Sequence, residues 1–163
     1  MDAGLKSAES NLMAYSQLVS EALSRVQIPR ISVTNPPVKE ELIQDLLKAS
    51  AGMFEDRNAN AEYIRALLLL QAGDLDHSHK IVQQLDDQNA AYIHGMIHRV
   101  EGDFSNANYW FRKAGRHPAL ERSQFDALQL TNQVERGLSS ALSKELIETL
   151  SIEFKSLLDF LVT

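Results

Sequence analysis

An all-α fold is what the sequence predicts, from three observations. Only seven glycines and four prolines interrupt 163 residues. Apolar residues recur at three- and four-residue steps along almost the whole chain, and no segment alternates as a half-buried strand does. The 44% apolar and 23% charged content is ordinary for a globular chain. At this length about two thirds of the unfolded surface is buried on folding, so one domain spanning 1–163 is expected, stable without metal or disulfide. Cysteine is absent, which excludes disulfides, a thiolate nucleophile and cysteine-ligated zinc or iron–sulfur clusters.

An N-terminal helix is expected within residues 1–27, from about 5 to 26, where Leu5, Ala8, Leu12, Tyr15, Val19, Ala22 and Val26 form one narrow stripe. Such a stripe suits a helix laid on neighbouring helices, or a coiled-coil seam. Pro29, Pro36 and Pro37 bias their predecessors away from helix, so 28–38 is expected as an extended connector. Asn35 before Pro36 suits an N-cap with proline in the first turn. Glu40 and Glu41 then lie near the positive helix end, and this second helix is expected to end near Gly52. Short helices follow at about 59–72, 75–86, 88–101 and 104–115. Within 119–163, a longer helix at about 119–136 stops at Gly137. The last, from about Ser140, carries Leu146, Ile147, Leu150, Phe154, Leu157, Leu158 and Leu161 on one face. The amphipathic first and last helices also offer a surface on which two copies of the chain could pair as a homodimer.

The longest apolar run, residues 66–70, falls far short of the roughly 20 that cross a bilayer, so no membrane partner is expected. The N-terminus lacks the apolar segment of a secretory signal, and a cytoplasmic location is expected. With 16 basic against 22 acidic residues and a net charge of -6, the chain has no general attraction for phosphate backbones, and nucleic acid is not expected as a partner.

An internal repeat organises the middle of the chain. Aligning Ala72-Gly73-Asp74-Leu75 with Glu101-Gly102-Asp103-Phe104 brings two helix–turn–helix units, within 59–116, into register at a period of 29 residues. Ala66 then aligns with Gly95, Ser78 with Ala107, Val82 with Phe111 and Leu85 with Ala114. Small residues allow close helix approach, Gly73 and Gly102 suit a left-handed helix end, and Asp74 and Asp103 suit N-caps. In the second unit Gly95, Gly102, Asp103, Phe104, Ala107, Phe111, Ala114 and Pro118 follow in order the pattern of the tetratricopeptide repeat, and the chain resembles that superfamily over about 60 residues. The period is shorter than the usual ~34 residues, and two hairpins are fewer than a self-sufficient solenoid needs, so flanking helices must complete the core. The resemblance implies about seven or eight helices, with antiparallel hairpins stacked as a short TPR-like right-handed array. It also implies a groove that receives a peptide or protein partner.

All five histidines, His77, His79, His94, His98 and His117, fall within 41 positions. In repeat register His94 and His98 take places that such hairpins usually give to large apolar side chains, and a broken local rule is where function is sought. Their i, i+4 spacing puts both rings on one helix face, able to grip a divalent transition metal. Glu101 continues that face but lies about 10.5 Å along the axis from His94, so a third ligand must come from the preceding hairpin: His77 above all, or His79 or Asp76. The alternative is a packed, hydrogen-bonded histidine cluster.

A second constellation, running from Asn106 through Trp110, Arg112, Lys113 and Arg116 to His117, mixes aromatic rings with positive charge. With Arg99 it could receive a phosphate or carboxylate, or it could be core aromatics beside basic groups that favour a helix C-terminus. No glycine-rich phosphate loop and no Gly-x-Ser-x-Gly elbow occurs. Ser78 between His77 and His79 is no nucleophile–base pair, because adjacent helical residues point about 100° apart. No catalytic residue is assigned. Two functions stand open: a binding scaffold for a protein partner, or a metal- or small-molecule-binding protein using His77, His94, His98, Arg99, Asn106, Trp110 and Lys113.

Overall fold

Residues 15–34, 38–57 and 59–163 are described by a computed structural model, and among them eight α-helices pack together with no strand. They are α1 (Gln17–Arg25), α2 (Glu40–Lys48), α3 (Ala61–Ala72), α4 (Leu75–Val82), α5 (Gln88–Glu101), α6 (Phe104–Ala114), α7 (Ala127–Gly137) and α8 (Lys144–Val162). Single 3-10 turns at Ala51–Met53 and Pro118–Leu120 join them.

Two turns set the architecture, and they are near copies of each other. Gly73 ends α3 at φ 92° and Gly102 ends α5 at φ 84°. In both, the next amide reaches back over the last helical turn, Asp74 to the Leu69 carbonyl and Asp103 to that of His98, each at 2.9 Å. Asp74 and Asp103 share φ −89°, with ψ 74° and 73°, and their side chains cap the His77 and Asn106 amides. Glycine is needed there because a Cβ disfavours the left-handed region. Two-residue connections then fold α3 against α4 and α5 against α6, the latter pair packing most extensively. Gly95 decides how closely α6 lies on α5, since a Cβ there would stand 2.7 Å from the Phe111 ring.

The core runs through α3, which is buried almost all round from Ile64 to Ala72, as befits a helix enclosed on every side. Leu42 and Leu46 of α2, Tyr92 and Ile93 of α5, and Phe154, Leu157, Leu158 and Leu161 of α8 close around it. Leu130 and Val134 of α7 meet Leu150 in a smaller cluster. The apolar face expected of the last helix is thus consumed inside its own chain. The same holds for Val19 and Ala22 of α1, with Tyr15 and Val26 half-buried beside them. The described parts of the two faces thus pack within the chain, and nothing among the described residues supports the expected seam between two copies.

Some helix limits differ from expectation, for local reasons. The expected second helix starts at Glu40 behind Lys39 and stops at Lys48. It stops where the buried Arg65 guanidinium takes up the chain's carbonyls, donating to those of Leu46, Leu47 (3.3 Å) and Ala49 (2.7 Å). The helix expected at 119–136 is broken. Pro118–Leu120 forms a 3-10 turn, and α7 begins only at Ala127, where Asp126 accepts from the amides of Leu128 (2.6 Å) and Gln129 (3.3 Å). That side-chain bond offers the backbone an alternative to helix, and it sets the start. The last helix begins at Lys144, because Ser143 accepts from the Leu146 amide. Leu5, Ala8 and Leu12, and the Asn35–Pro37 cap, lie outside the described residues. The described part of the connector carries no helix, and the Arg30 amide and Nε bond Gln71 of α3, pinning the strap across Gly73.

Candidate metal centre

The short connection at 83–87 returns the chain so that α4 packs beside α5, and this brings His79 of α4 against His94 and His98 of α5. One ring nitrogen from each of the three lies within 4.8 Å of the others. His94 Nε2 and His79 Nε2 are 2.8 Å apart, so one carries the shared hydrogen. A tetrahedral ion with metal–nitrogen bonds of about 2.1 Å needs nitrogens about 3.4 Å from each other, a value between these two limits. Chelation asks the His79 and His94 nitrogens, now 2.8 Å apart, to separate slightly, while the His94 and His98 rings already stand stacked, 4.9 Å apart and 16° from parallel.

The surroundings prepare the rings for lone-pair donation. His98 Nδ1 lies 2.9 Å from Glu101 Oε2. An ionised carboxylate only accepts, so Nδ1 carries a proton, and Nε2 is the nitrogen whose lone pair a metal ion would take up. A carboxylate on the far nitrogen is the usual support for a metal-bound imidazole. The Trp110 ring covers His94 at 3.8 Å and 14°, close and nearly parallel. Burial, then the neighbouring His79, His98 and Lys113, push the His94 pKa down to about 4, so its ring is neutral at neutral pH. His94 and His98 are buried while His79 is only half-buried, which leaves the cluster reachable from the α4 side.

Not every residue singled out from the sequence reaches this cluster. His77 does not: its Nδ1 lies 2.7 Å from Asp74 Oδ2, where it closes the α4 cap, and His79 stands in the place expected of it. Ser78 donates to the Ala66 carbonyl at 2.7 Å, a helix-packing bond. Asn106 lies at the rim, its amide nitrogen 3.3 Å from Asp103 Oδ2 and 3.5 Å from His98 Nδ1. Lys113 sits 4.8 Å over the Trp110 ring and 3.7 Å from Asp86. Arg99, one residue beyond His98, points elsewhere. It forms a buried pair with Glu153 of α8, with NH1 to Oε1 at 3.2 Å and NH2 on Oε2, and Tyr92 donates to Oε1 at 2.6 Å.

Sequence reading missed this Tyr92–Glu153–Arg99 knot. The one available signal was an acidic residue at core spacing, Glu153 between Leu150 and Leu157. His117 also has a structural place: its Nδ1 accepts from the Ala119 amide at 3.1 Å, so Nε2 carries the proton to Asn89 Oδ1 at 2.7 Å. With two nitrogens of opposite role satisfied the ring is neutral, and burial lowers its pKa. No family model, no curated protein and no solved structure matches the chain.

Proposed function

We propose that this chain binds a divalent transition metal ion through His79, His94 and His98, on a short tetratricopeptide-like helical frame. The convergence of three imidazole nitrogens within 4.8 Å, from two different helices, carries the reading. Three imidazole ligands suit zinc, copper, nickel or iron. A three-histidine set leaves one tetrahedral position for water or a substrate atom, and an ion held so would acidify that water and polarise a carbonyl or phosphoryl oxygen. Within the chain, Glu101 fixes the proton of His98, Trp110 holds the His94 ring, and half-exposed His79 completes the set on binding.

Thermal unfolding of metal-stripped protein, alone and with zinc, nickel, manganese or iron(II), tests this, because an ion that binds only the folded state must raise its apparent stability. A selective rise, lost in His94→Ala and His98→Ala, is the expected result. No shift with any ion, together with destabilised variants, would make the cluster a packed structural one.

A second reading, a protein or peptide partner on the hairpins, draws on a trough of about 410 Å³ between α2, α3 and α4, where Leu47, Ile81 and Leu85 lie beside Arg65 and Lys80. A photoreactive residue in place of Ile81 should then trap one protein from a cell extract. Trapping none would count against it.

A further inference from the structure

The basic constellation on α6 divides in two. Lys113 belongs to the Trp110 side, whereas Arg112 and Arg116 face a separate cleft of about 760 Å³ that shares no residue with the histidine cluster. Its far wall is the stretch between the Pro118–Leu120 turn and α7, which brings in a third arginine, Arg122. A ligand cleft of a few hundred cubic ångströms suits a small organic molecule.

Three guanidinium groups in one cleft stand out in a chain of net charge -6. All three are exposed. Among the described residues Arg112 and Arg122 have no ion pair or hydrogen bond, and Arg116 has one bond, to the Glu121 carbonyl at 3.2 Å. Their donor forks therefore remain available. Two acids share the lining, Glu121 and Asp126; Asp126 accepts the two amides at the start of α7 through Oδ1, and the three arginines outnumber the two carboxylates. The floor is apolar: the Phe111 and Tyr92 rings, buried and 5.0 Å apart, with half-buried Phe125 beside them. Charge at the mouth and aromatic surface beneath describe a ligand with an anionic head and an apolar body. Arginine forks match phosphate oxygens in geometry as well as charge.

We propose that this cleft binds a small phosphate monoester with an aromatic or aliphatic body, its phosphoryl oxygens on Arg112, Arg116 and Arg122 and its body against Phe125 and Phe111. Isothermal titration calorimetry of the full chain, metal-stripped and dialysed, tests it with phenyl phosphate, inorganic phosphate and phenol as probes. Phenyl phosphate is expected to bind one per chain, more tightly than inorganic phosphate, and to weaken as salt rises. The double variant Arg112→Gln/Arg122→Gln, both at exposed positions, should leave the unfolding midpoint unchanged and weaken phenyl phosphate by about tenfold or more, given the strength of charge-assisted fork contacts. Absence of phenyl phosphate binding, equal binding by the double variant, or phenol binding as tightly as phenyl phosphate would each overturn the proposal.

Discussion

His94 is where burial, charge and packing meet most tightly. Its pKa falls to about 4 from an ordinary 6.5, and burial lowers that of His117 as well. Between about pH 6.5 and 4 the unfolded chain therefore binds more protons than the folded one, and stability is lost as pH falls through that window. In metal-free buffer the melting temperature should drop from pH 7 to pH 4.5, and His94→Gln should flatten the drop; a slope unchanged in that variant would contradict the assignment. His79 separates ligand from packing roles, because it is half-buried where His94 is enclosed. His79→Ala should abolish metal-dependent stabilisation while costing the metal-free protein no more than about 1 kcal/mol, as partly exposed substitutions usually do. His94 and His98 were legible as candidates because they break an apolar pattern in repeat register. The choice of His79 over His77 was not, since it depends on Asp74 spending its side chain on the α4 cap and the His77 ring.

At the scale of elements, the paired turns are the part most open to sequence reading. Gly-Asp at a 29-residue period becomes the same backbone path twice, because glycine and an aspartate cap are local requirements that distant contacts do not alter. Gly102 tests this cleanly: its φ is 84° and a Cβ there would meet nothing within 4 Å, so Gly102→Ala adds backbone strain alone. It should cost about 1–2 kcal/mol in denaturant unfolding. Gly95→Ala adds the opposite problem, a Cβ inside the Phe111 ring contact, and overpacking of about 1–3 kcal/mol is expected. Where expectation went astray, over 119–136, periodicity alone supported a continuous helix. The apolar residues there, Leu120 and Phe125, reach the core from a turn and an irregular stretch instead.

Across the whole molecule, α8 is tied to the hairpins by apolar packing and by one buried ionic knot. Arg99 and Glu153 are 54 residues apart in the chain and almost fully buried, and the Tyr92 phenol on the same carboxylate stays protonated, its pKa raised well above 10 by burial and then by the charge of Glu153. Glu153→Leu strands a buried guanidinium and should cost about 3–5 kcal/mol, whereas adding Arg99→Met should recover most of that loss. Urea unfolding of the single and double variants checks it, and an additive result would show that the pair is not coupled. No local pattern announces a partner at that separation. The helical class, the hairpin pair and the burial of the last helix's apolar face were readable from periodicity, while the pairing of charges across the core was not.

The metal centre is best tested by titrating the metal-stripped chain with cobalt(II) and following its visible absorption, which reports coordination geometry directly. The expected result is a tetrahedral spectrum that saturates at one ion per chain, is displaced by zinc, and is lost in the His79→Ala and His98→Ala variants while persisting in His77→Ala. A spectrum that stays that of the hydrated ion, or one that survives loss of His79, would contradict a centre built from His79, His94 and His98.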